Sequence, residues 1–385
     1  MRICKECIQP DTRPGIFFNE EGVCGACLWE HEKKELNWNE RESELIKILE
    51  KGKTKNALYD CAVGVSGGKD STFQAITARD RFGLRCLLVN YQPENITEVG
   101  KKNIENLKNL GFDVVTIRPN PKIMKKLIKH DFFSNLNPVK PTEFALFSST
   151  YIMAEKFNIP LIIQGENPGL ILGTRLTGVG TDSNALKANE LQTLSSGWES
   201  YSDVDGVTKE DLFWFHYDRK KLEEMDVVGI WLNYFIKEYS QKHNAQFSEK
   251  YGLSKRESDF DPNSIGTYNP YFALDSDLAQ VNQLLKFYKF GFGQCMDHVC
   301  YDIREGDMNR NEAIDLVFQY DGKCSEEYVL NFCNYIDITI DKFWDTAEKF
   351  RGDVWIKDSE GNYKNKVLSL IHISEPTRRT PSSYA

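Results

Sequence analysis

The sequence predicts an α/β protein: a parallel sheet with helices on both faces, preceded by a small cysteine knuckle and followed by a mainly helical C-terminal region. Three observations carry this. Between residues 59 and 164, short apolar runs alternate with helix-length segments. Four of the ten cysteines fall within the first 27 residues, as two CxxC pairs. From Asp275 to Phe350 the apolar residues return to helical spacing.

Each element follows in order. Cys4 to about Trp29 is rich in cysteine, proline and glycine and reads as a metal-held knuckle. Glu30 to Gly52 is charged, with Leu36, Ile46 and Leu49 at helical spacing, and reads as a linker helix. Tyr59 to Val65 is a strand that ends in the turn Ser66-Gly67-Gly68-Lys69-Asp70-Ser71, and a helix follows to about Arg81. Arg85 to Asn90 and Asp113 to Ile117 are the next strands, with a helix over Asn95–Leu110 between them that Gly111 stops. Helices over Pro121–Lys129 and Glu143–Phe157 precede a fourth strand, Ile159 to Gln164, and the turn Gly165-Glu166-Asn167-Pro168-Gly169. Residues 174–275 are polar and aromatic, with one helix expected around Val227 to His243. Further on, Asn309 or Asp307 is expected to cap one helix and Ser325 another.

These readings divide the chain into 1–52 (knuckle and linker), 53–240 (sheet domain with an insertion) and 241–367 (helical substrate region). From Leu368 the composition changes. The run Leu368–Arg378 resembles a translated DNA library adapter, so 368–385 is set aside from the fold.

Composition narrows the function. The chain has 385 residues, 41% of them hydrophobic, and a net charge of −9. It can bury a full core. No apolar run approaches ~18 residues, so no membrane span is expected, and the N-terminus lacks the apolar core of a secretory signal. The acidic balance argues against bulk nucleic-acid binding. A cytoplasmic enzyme is the expectation.

Two motifs carry chemistry. Cys4-x-x-Cys7 and Cys24-x-x-Cys27, sixteen residues apart, supply four thiolates for a tetrahedral ion. No coordination position would stay open, so the role would be structural. Zinc suits the set; an iron–sulfur cluster or a redox dithiol pair would use the same spacing. Cys61, Cys86, Cys295, Cys300, Cys324 and Cys333 lack such spacing and read as small buried hydrophobes. The second motif, Ser66 to Ser71, is not a Walker A loop: Val63 stands where that motif needs glycine, and Asp70 where it needs Ser or Thr. It remains an anion cradle, with glycines that let backbone N–H groups approach a pyrophosphate at a helix N-terminus. Lys69 adds charge, and Asp70 is placed to help hold Mg²⁺. In parallel sheets ligands bind beyond the carboxyl ends of the strands, where both glycine-rich turns fall.

The SGGKDS turn resembles the pyrophosphate loop of the PP-loop ATP pyrophosphatases, whose fold is the adenine nucleotide alpha hydrolase-like sheet. The knuckle, Gly165-Glu166-Asn167 and the block Leu285–Gly293, Asp297-His298, Ile303–Gly306, Arg310-x-Glu312-Ala313 and Tyr320–Cys324 come in an order similar to that of the N-acetyl sugar amidotransferases of bacterial surface-glycan synthesis, including lipopolysaccharide. The resemblance runs over nearly all of 1–367. It implies an AMP-forming C–N ligase in which ATP adenylates the oxygen of an acetamido group on a nucleotide-activated sugar and ammonia then displaces AMP to leave an acetamidino group. It implies ATP bound by Ser66, Gly67, Gly68, Lys69, Asp70, Ser71, Gly165 and Asn167, with Mg²⁺ and a structural zinc. Lys69, Asp70, Glu166 and Asp297 are its candidate catalytic residues. Lys286, Lys289 and Arg304 (and Arg310 beside them) are candidates for gripping sugar-nucleotide phosphates or a sugar carboxylate. The alternatives stay open residue by residue: the cations can pair with Asp302, Glu305 or Glu312, His298 can be a core histidine, and Glu166 and Asn167 can cap a helix. No glutaminase is visible in the chain. The resemblance implies a separate glutaminase subunit and a cyclase-like ammonia-channel subunit as partners, and no nucleic acid. Two rivals stand beside this reading: a tRNA thiolase, which also combines a zinc knuckle with a PP-loop, and a non-catalytic nucleotide-binding scaffold for a glutaminase.

Overall fold

The structure, a computed structural model, describes residues 1–53, 57–175, 181–187 and 197–373. Five parallel strands, β1 (Cys61–Val65), β2 (Cys86–Tyr91), β3 (Asp113–Ile117), β4 (Leu161–Gln164) and β5 (Val228–Trp231), form one sheet in the order β3-β2-β1-β4-β5. Side chains alternate between two cores, as the period of two requires. Val63, Leu88 and Ile163 face a cluster with Phe73, Ile104 and Leu107, whereas Ala62, Leu87 and Ile162 face one with Tyr151 and Ala154. Both faces are therefore covered, and the three central strands read as continuous apolar runs.

The helices of this domain are α3 (Lys69–Ile76, continued by a π turn over Thr77–Arg81), α4 (Glu98–Asn109), α5 (Pro121–Asn135), α6 (Lys140–Lys156), the short α7 (Pro168–Ile171), α8 (Arg219–Glu224) and α9 (Gln241–Lys250). They follow two knuckle-side helices, α1 (Gly25–Glu35) and α2 (Trp38–Lys53), which replace the single linker helix expected over Glu30–Gly52. Thr97 and Asn120 cap α4 and α5 through their side chains.

The helix expected around Val227–His243 is not formed. Val228–Trp231 is the edge strand β5, in register with Leu161–Gln164. A short 3₁₀ turn follows at Leu232–Tyr234, and α9 begins only after Ser240, whose hydroxyl accepts from the His243 N–H. A four-residue apolar run buried against a neighbour has no alternation to separate it from a helix fragment.

The C-terminal region is helical, as expected: α10 (Pro262–Ile265), α11 (Leu278–Phe290), α12 (Gln294–Glu305), α13 (Arg310–Tyr320), α14 (Glu326–Tyr335), α15 (Ile340–Lys349) and, after the hairpin β6 (Trp355–Lys357)–β7 (Tyr363–Asn365), α16 (Lys366–Ile373). Asn309 forms a full capping box with Glu312, and Ser325 caps α14. These helices split between two cores. Val281, Leu284, Phe332 and Phe343 pack with Leu127 and Phe132 of α5. Met296, Val299, Ile314 and Val317 pack with Phe18, Val23 and the four knuckle cysteines. The knuckle thus shares its core with α12 and α13. Helix α16 crosses the composition break at Leu368 and buries Ile371 in the same cluster; 374–385 lie outside the described residues.

Candidate functional site

In the knuckle, the Sγ atoms of Cys4, Cys7, Cys24 and Cys27 all lie within 4.8 Å of one another and are buried. Cys4 and Cys27 are 3.8 Å apart, and Cys7 and Cys24 are 3.7 Å apart. A tetrahedron with metal–sulfur bonds of about 2.3 Å has edges of about 3.8 Å, so the donor set fits a four-coordinate zinc. Arg310 braces it. Its guanidinium donates to the carbonyls of Cys4 (3.0 Å), Glu6 (3.3 Å) and Cys7. The sequence suggested Arg310 as a phosphate ligand; the structure spends it on the knuckle backbone.

The second element is the loop after β1. In the order β3-β2-β1-β4-β5, β1 and β4 flank the point where the chain reverses its direction of sheet growth, the crevice where parallel sheets bind ligands. Ser66–Ser71 follows β1 and Gly165–Gly169 follows β4. Gly67 has φ +81°, and a Cβ there would lie 3.2 Å from that of Asn103, so both conformation and space select glycine. Ser71 Oγ accepts from the Ser66 N–H at 3.3 Å and donates to the Gly68 carbonyl at 3.3 Å, which closes the loop over the N-terminus of α3. Lys69 Nζ lies 2.5 Å from Asp70 Oδ2, and Asp70 Oδ1 accepts from Asn244 Nδ2 at 2.8 Å. Ser248 donates to the Lys69 carbonyl at 2.7 Å. Asn244 and Ser248, one turn apart on α9, are supports that sequence reasoning missed, because nothing local ties α9 to a loop 174 residues earlier.

Charge gathers around Lys69. Burial disfavours its ammonium, but Asp70, Glu166 and Glu305 together raise its pKa. Glu166 is pushed up to about 8, by burial and then by Asp70, against the pull of Lys69. Gln241 Nε2 donates to Glu166 Oε1 at 2.8 Å. Burial also raises Glu305, whose Oε1 accepts the Gln241 N–H at 2.8 Å. Among the described residues only the four cysteines converge tightly enough to hold an ion by themselves. Mg²⁺ ordinarily takes one or two carboxylates plus substrate phosphates. Asp70, at the N-terminus of α3, fits that part.

Glu166 also lines a cleft of about 470 Å³. Other walls come from Arg13 of the knuckle, Asn137 and Glu143 before and in α6, Lys286, Lys289 and Gln283 of α11, Phe292, and Asp297 and Tyr301 of α12. Asp297 is held by two cations: Arg13 Nη2 donates to Oδ1, and Lys286 Nζ lies 2.8 Å from Oδ2. Burial opposes the charge on Asp297, but Arg13 and Lys286 outweigh it and keep the carboxyl below the usual range. An aspartate so held is a poor proton acceptor, which removes the ground for giving it a base's role. Lys289 donates to the Asn135 carbonyl, and burial lowers its pKa to about 8.

The remaining candidates lie elsewhere. Gly165 packs against Gln74 and Tyr239, where a Cβ would lie 2.0 Å from Gln74 Nε2. Asn167 takes the capping alternative: fully buried, it accepts from the Gly169 N–H at 2.7 Å, donates to the Asp182 carbonyl at 2.8 Å and receives no cleft exposure. Arg304 is outside the cleft. It faces a small neighbouring cavity with Glu305 and Gln241 and donates to the Ile171 carbonyl at 3.3 Å. His298 sits between Thr267 Oγ1 (2.6 Å) and Gln294 Nε2 (3.0 Å), and burial lowers its pKa to about 3, so it is a neutral core histidine. Arg13 was not foreseen as a site residue; its only sequence signal is a basic residue in the loop between the cysteine pairs.

Residues 265–371 match the family model described as LPS biosynthesis protein WbpG-like, C-terminal domain. No curated protein matches the chain. Among solved structures, NMN synthetase from Francisella tularensis is 17% identical, with a TM-score of 0.30, over 58% of this chain and 100% of that one. NH3-dependent NAD synthetase from Campylobacter jejuni subsp. jejuni NCTC 11168 is 16% identical, with a TM-score of 0.30 and the same coverage. The matched family region supplies Lys286, Lys289, Phe292, Asp297 and Tyr301 of the cleft. The chain therefore joins a region similar to the C-terminal domain of WbpG-like LPS biosynthesis proteins to a parallel α/β domain whose first loop is the turn Ser66–Ser71.

Proposed function

We propose that the protein is an ATP-dependent, AMP-forming amidotransferase that converts an acetamido group of a nucleotide-activated sugar to an acetamidino group for lipopolysaccharide or a related surface glycan. The observation that carries this is Glu166, which belongs at once to the charge cluster of the Ser66–Ser71 loop and to the walls of the cleft. Phosphate chemistry and a second substrate would meet there.

The steps follow from the residues. The loop N–H groups and Lys69 would hold the phosphates of ATP. Asp70 would hold Mg²⁺ together with the ATP phosphates, and the ion's charge would ease the departure of pyrophosphate. The acetamido oxygen attacks the α-phosphorus, the α–β bond breaks, and the amide becomes an O-adenylyl imidate. Ammonia adds to the imidate carbon, Glu166 accepts its proton, and the C–O bond breaks to release AMP. An amide oxygen is a poor leaving group, so adenylation supplies the driving force, and the protein mainly positions and neutralises charge. Lys286 and Lys289 would grip the anionic part of the sugar nucleotide. Ammonia would come from a separate glutaminase through a cyclase-like channel subunit. The reaction belongs in the cytoplasm, where both nucleotides are made; no described helix is long and apolar enough to cross a membrane.

The test incubates purified protein with ATP, Mg²⁺ and an ammonium salt, adds acetamido sugar nucleotides or bulk tRNA in turn, and quantifies AMP against ADP. AMP release that needs both sugar and ammonia, with oxygen-to-NH exchange on the sugar by mass spectrometry, is expected. Release stimulated only by tRNA would overturn this reading in favour of a thiolase.

A further inference from the structure

The loop between the two cysteine pairs does more than close the knuckle. Thr12 Oγ1 donates to the Phe290 carbonyl at 2.7 Å, at the end of α11. On the other rim Ile16 bridges Thr174, the Phe17 N–H donates to Gly173 at 2.9 Å, and the Arg175 N–H donates to Gly15 at 2.8 Å. The loop between the cysteine pairs therefore spans the cleft mouth between α11 and the segment after α7. At its centre the Arg13 side chain, only 10% exposed, enters the cleft.

Three cations, Arg13, Lys286 and Lys289, line the cleft. Arg13 and Lys286 share one carboxylate and lie over one ring, each 4.9 Å from the Phe292 centroid. Lys289 makes no ion pair among the described residues and leans on a backbone carbonyl. Buried positive charge without a partner is costly unless a ligand supplies the counter-charge. The unpaired polar atoms of the cleft complete the description. Among the described residues, Arg13 Nε is a buried donor with no acceptor, and Asn137 Oδ1 and Gln283 Oε1 are buried acceptors with no donor. Asn137 itself is 9% exposed. A fitting ligand brings oxyanion oxygens for the cations, and O–H or N–H groups for the two amide oxygens.

We propose that the cleft is an oxyanion receptor with Arg13 as its central cation, that its ligand is a phosphorylated or carboxylated sugar, and that the knuckle ion serves this receptor by holding Arg13 in place. The proposal deepens the amidotransferase reading and rests on it for the identity of the sugar as substrate. It makes the loop between the cysteine pairs, through Arg13 and Pro14, a wall of the binding cleft. It also gives Asp297 a positioning role: with Lys286 it aims Arg13 until an anion takes over part of the pair.

Isothermal titration calorimetry with UDP-N-acetylglucosamine and UDP-glucuronic acid tests this, with ATP titrated separately. Wild type is expected to bind at least one sugar nucleotide. Arg13→Gln should weaken that binding at least about tenfold, with ATP affinity and zinc content unchanged, and Arg13→Lys should recover only part because it lacks the planar fork. Protein stripped of zinc should show the same loss while still binding ATP. Sugar-nucleotide binding by Arg13→Gln at wild-type strength overturns the receptor and leaves the amidotransferase reading intact. Undiminished binding by zinc-free protein overturns the role of the knuckle. Wild type that binds ATP but neither sugar nucleotide overturns the receptor and the substrate reading together.

Discussion

Arg13 and Asp297 stand 284 residues apart in the chain and form an ion pair on the wall of the cleft that Glu166 also lines. Lys286 completes the pair from the other carboxylate oxygen at 2.8 Å. This one relationship ties the cysteine knuckle to the WbpG-like region and changes the chemistry expected of Asp297. Flanked by two cations, it stays ionised and serves geometry. Glu166, pushed up to about 8, is the carboxyl poised to exchange a proton near neutrality.

Lys69→Met and Asp70→Asn should each lower AMP formation at least about 100-fold, the usual loss when a preorganised charge is removed from a transition state. Asn244 still contacts position 70 in the first variant, so melting should move by a few degrees only. Pyrophosphate release and thermal denaturation measure the two effects; activity near wild type would remove the loop from the chemistry.

Glu166 should make stability depend on pH. Its folded pKa is about 8 against an ordinary 4.5, so the folded chain holds the proton more tightly than the unfolded one. The stabilisation is full below about pH 4.5, fades as pH rises, and is gone above about pH 8. Asp70, Lys69, Glu305 and Gln241 face this carboxyl. Urea midpoints of wild type should fall relative to those of Glu166→Gln between pH 5 and pH 8. Parallel profiles would mean that Glu166 is ionised throughout.

Asn167→Ala separates capping from nucleotide binding. It removes the acceptor for Gly169 N–H and the donor to Asp182, and should cost about 1–3 kcal/mol of stability without changing ATP affinity. A large rise in ATP Kd at unchanged stability would return Asn167 to the binding site.

Arg310→Met should loosen the metal. The carbonyls of Cys4, Glu6 and Cys7 lose a shared charged donor, and partners of this kind are worth about 10–100-fold in metal affinity. Competition with a chromogenic chelator reads the change. Cys24→Ser, which removes a ligand, should lose the metal and lower the melting temperature. A variant that binds no metal yet melts with wild type would mean that the ion does not support the fold.

Much of the fold was legible because its signals are local. Strands β1 to β4, the helices between them and the caps at Asn309 and Ser325 follow from periodicity and from side chains that bond their own backbone. The cysteine spacing and the SGGKDS turn are likewise complete within a few residues, so the sequence alone determined the parallel α/β class and both anchors of the site. Strand β5 was not legible, since four apolar residues carry no period until they pair with β4. Nor was the division of labour among the charged residues. Arg304, Arg310, Lys286 and Lys289 look alike in sequence, yet one leans on Ile171, one braces the knuckle and two enter the cleft. The tertiary structure decided this, and with it the recruitment of Arg13 and the shift of Glu166. An ion pair and a raised pKa arise from burial and proximity between groups far apart in the chain, and those are set only when separate elements pack.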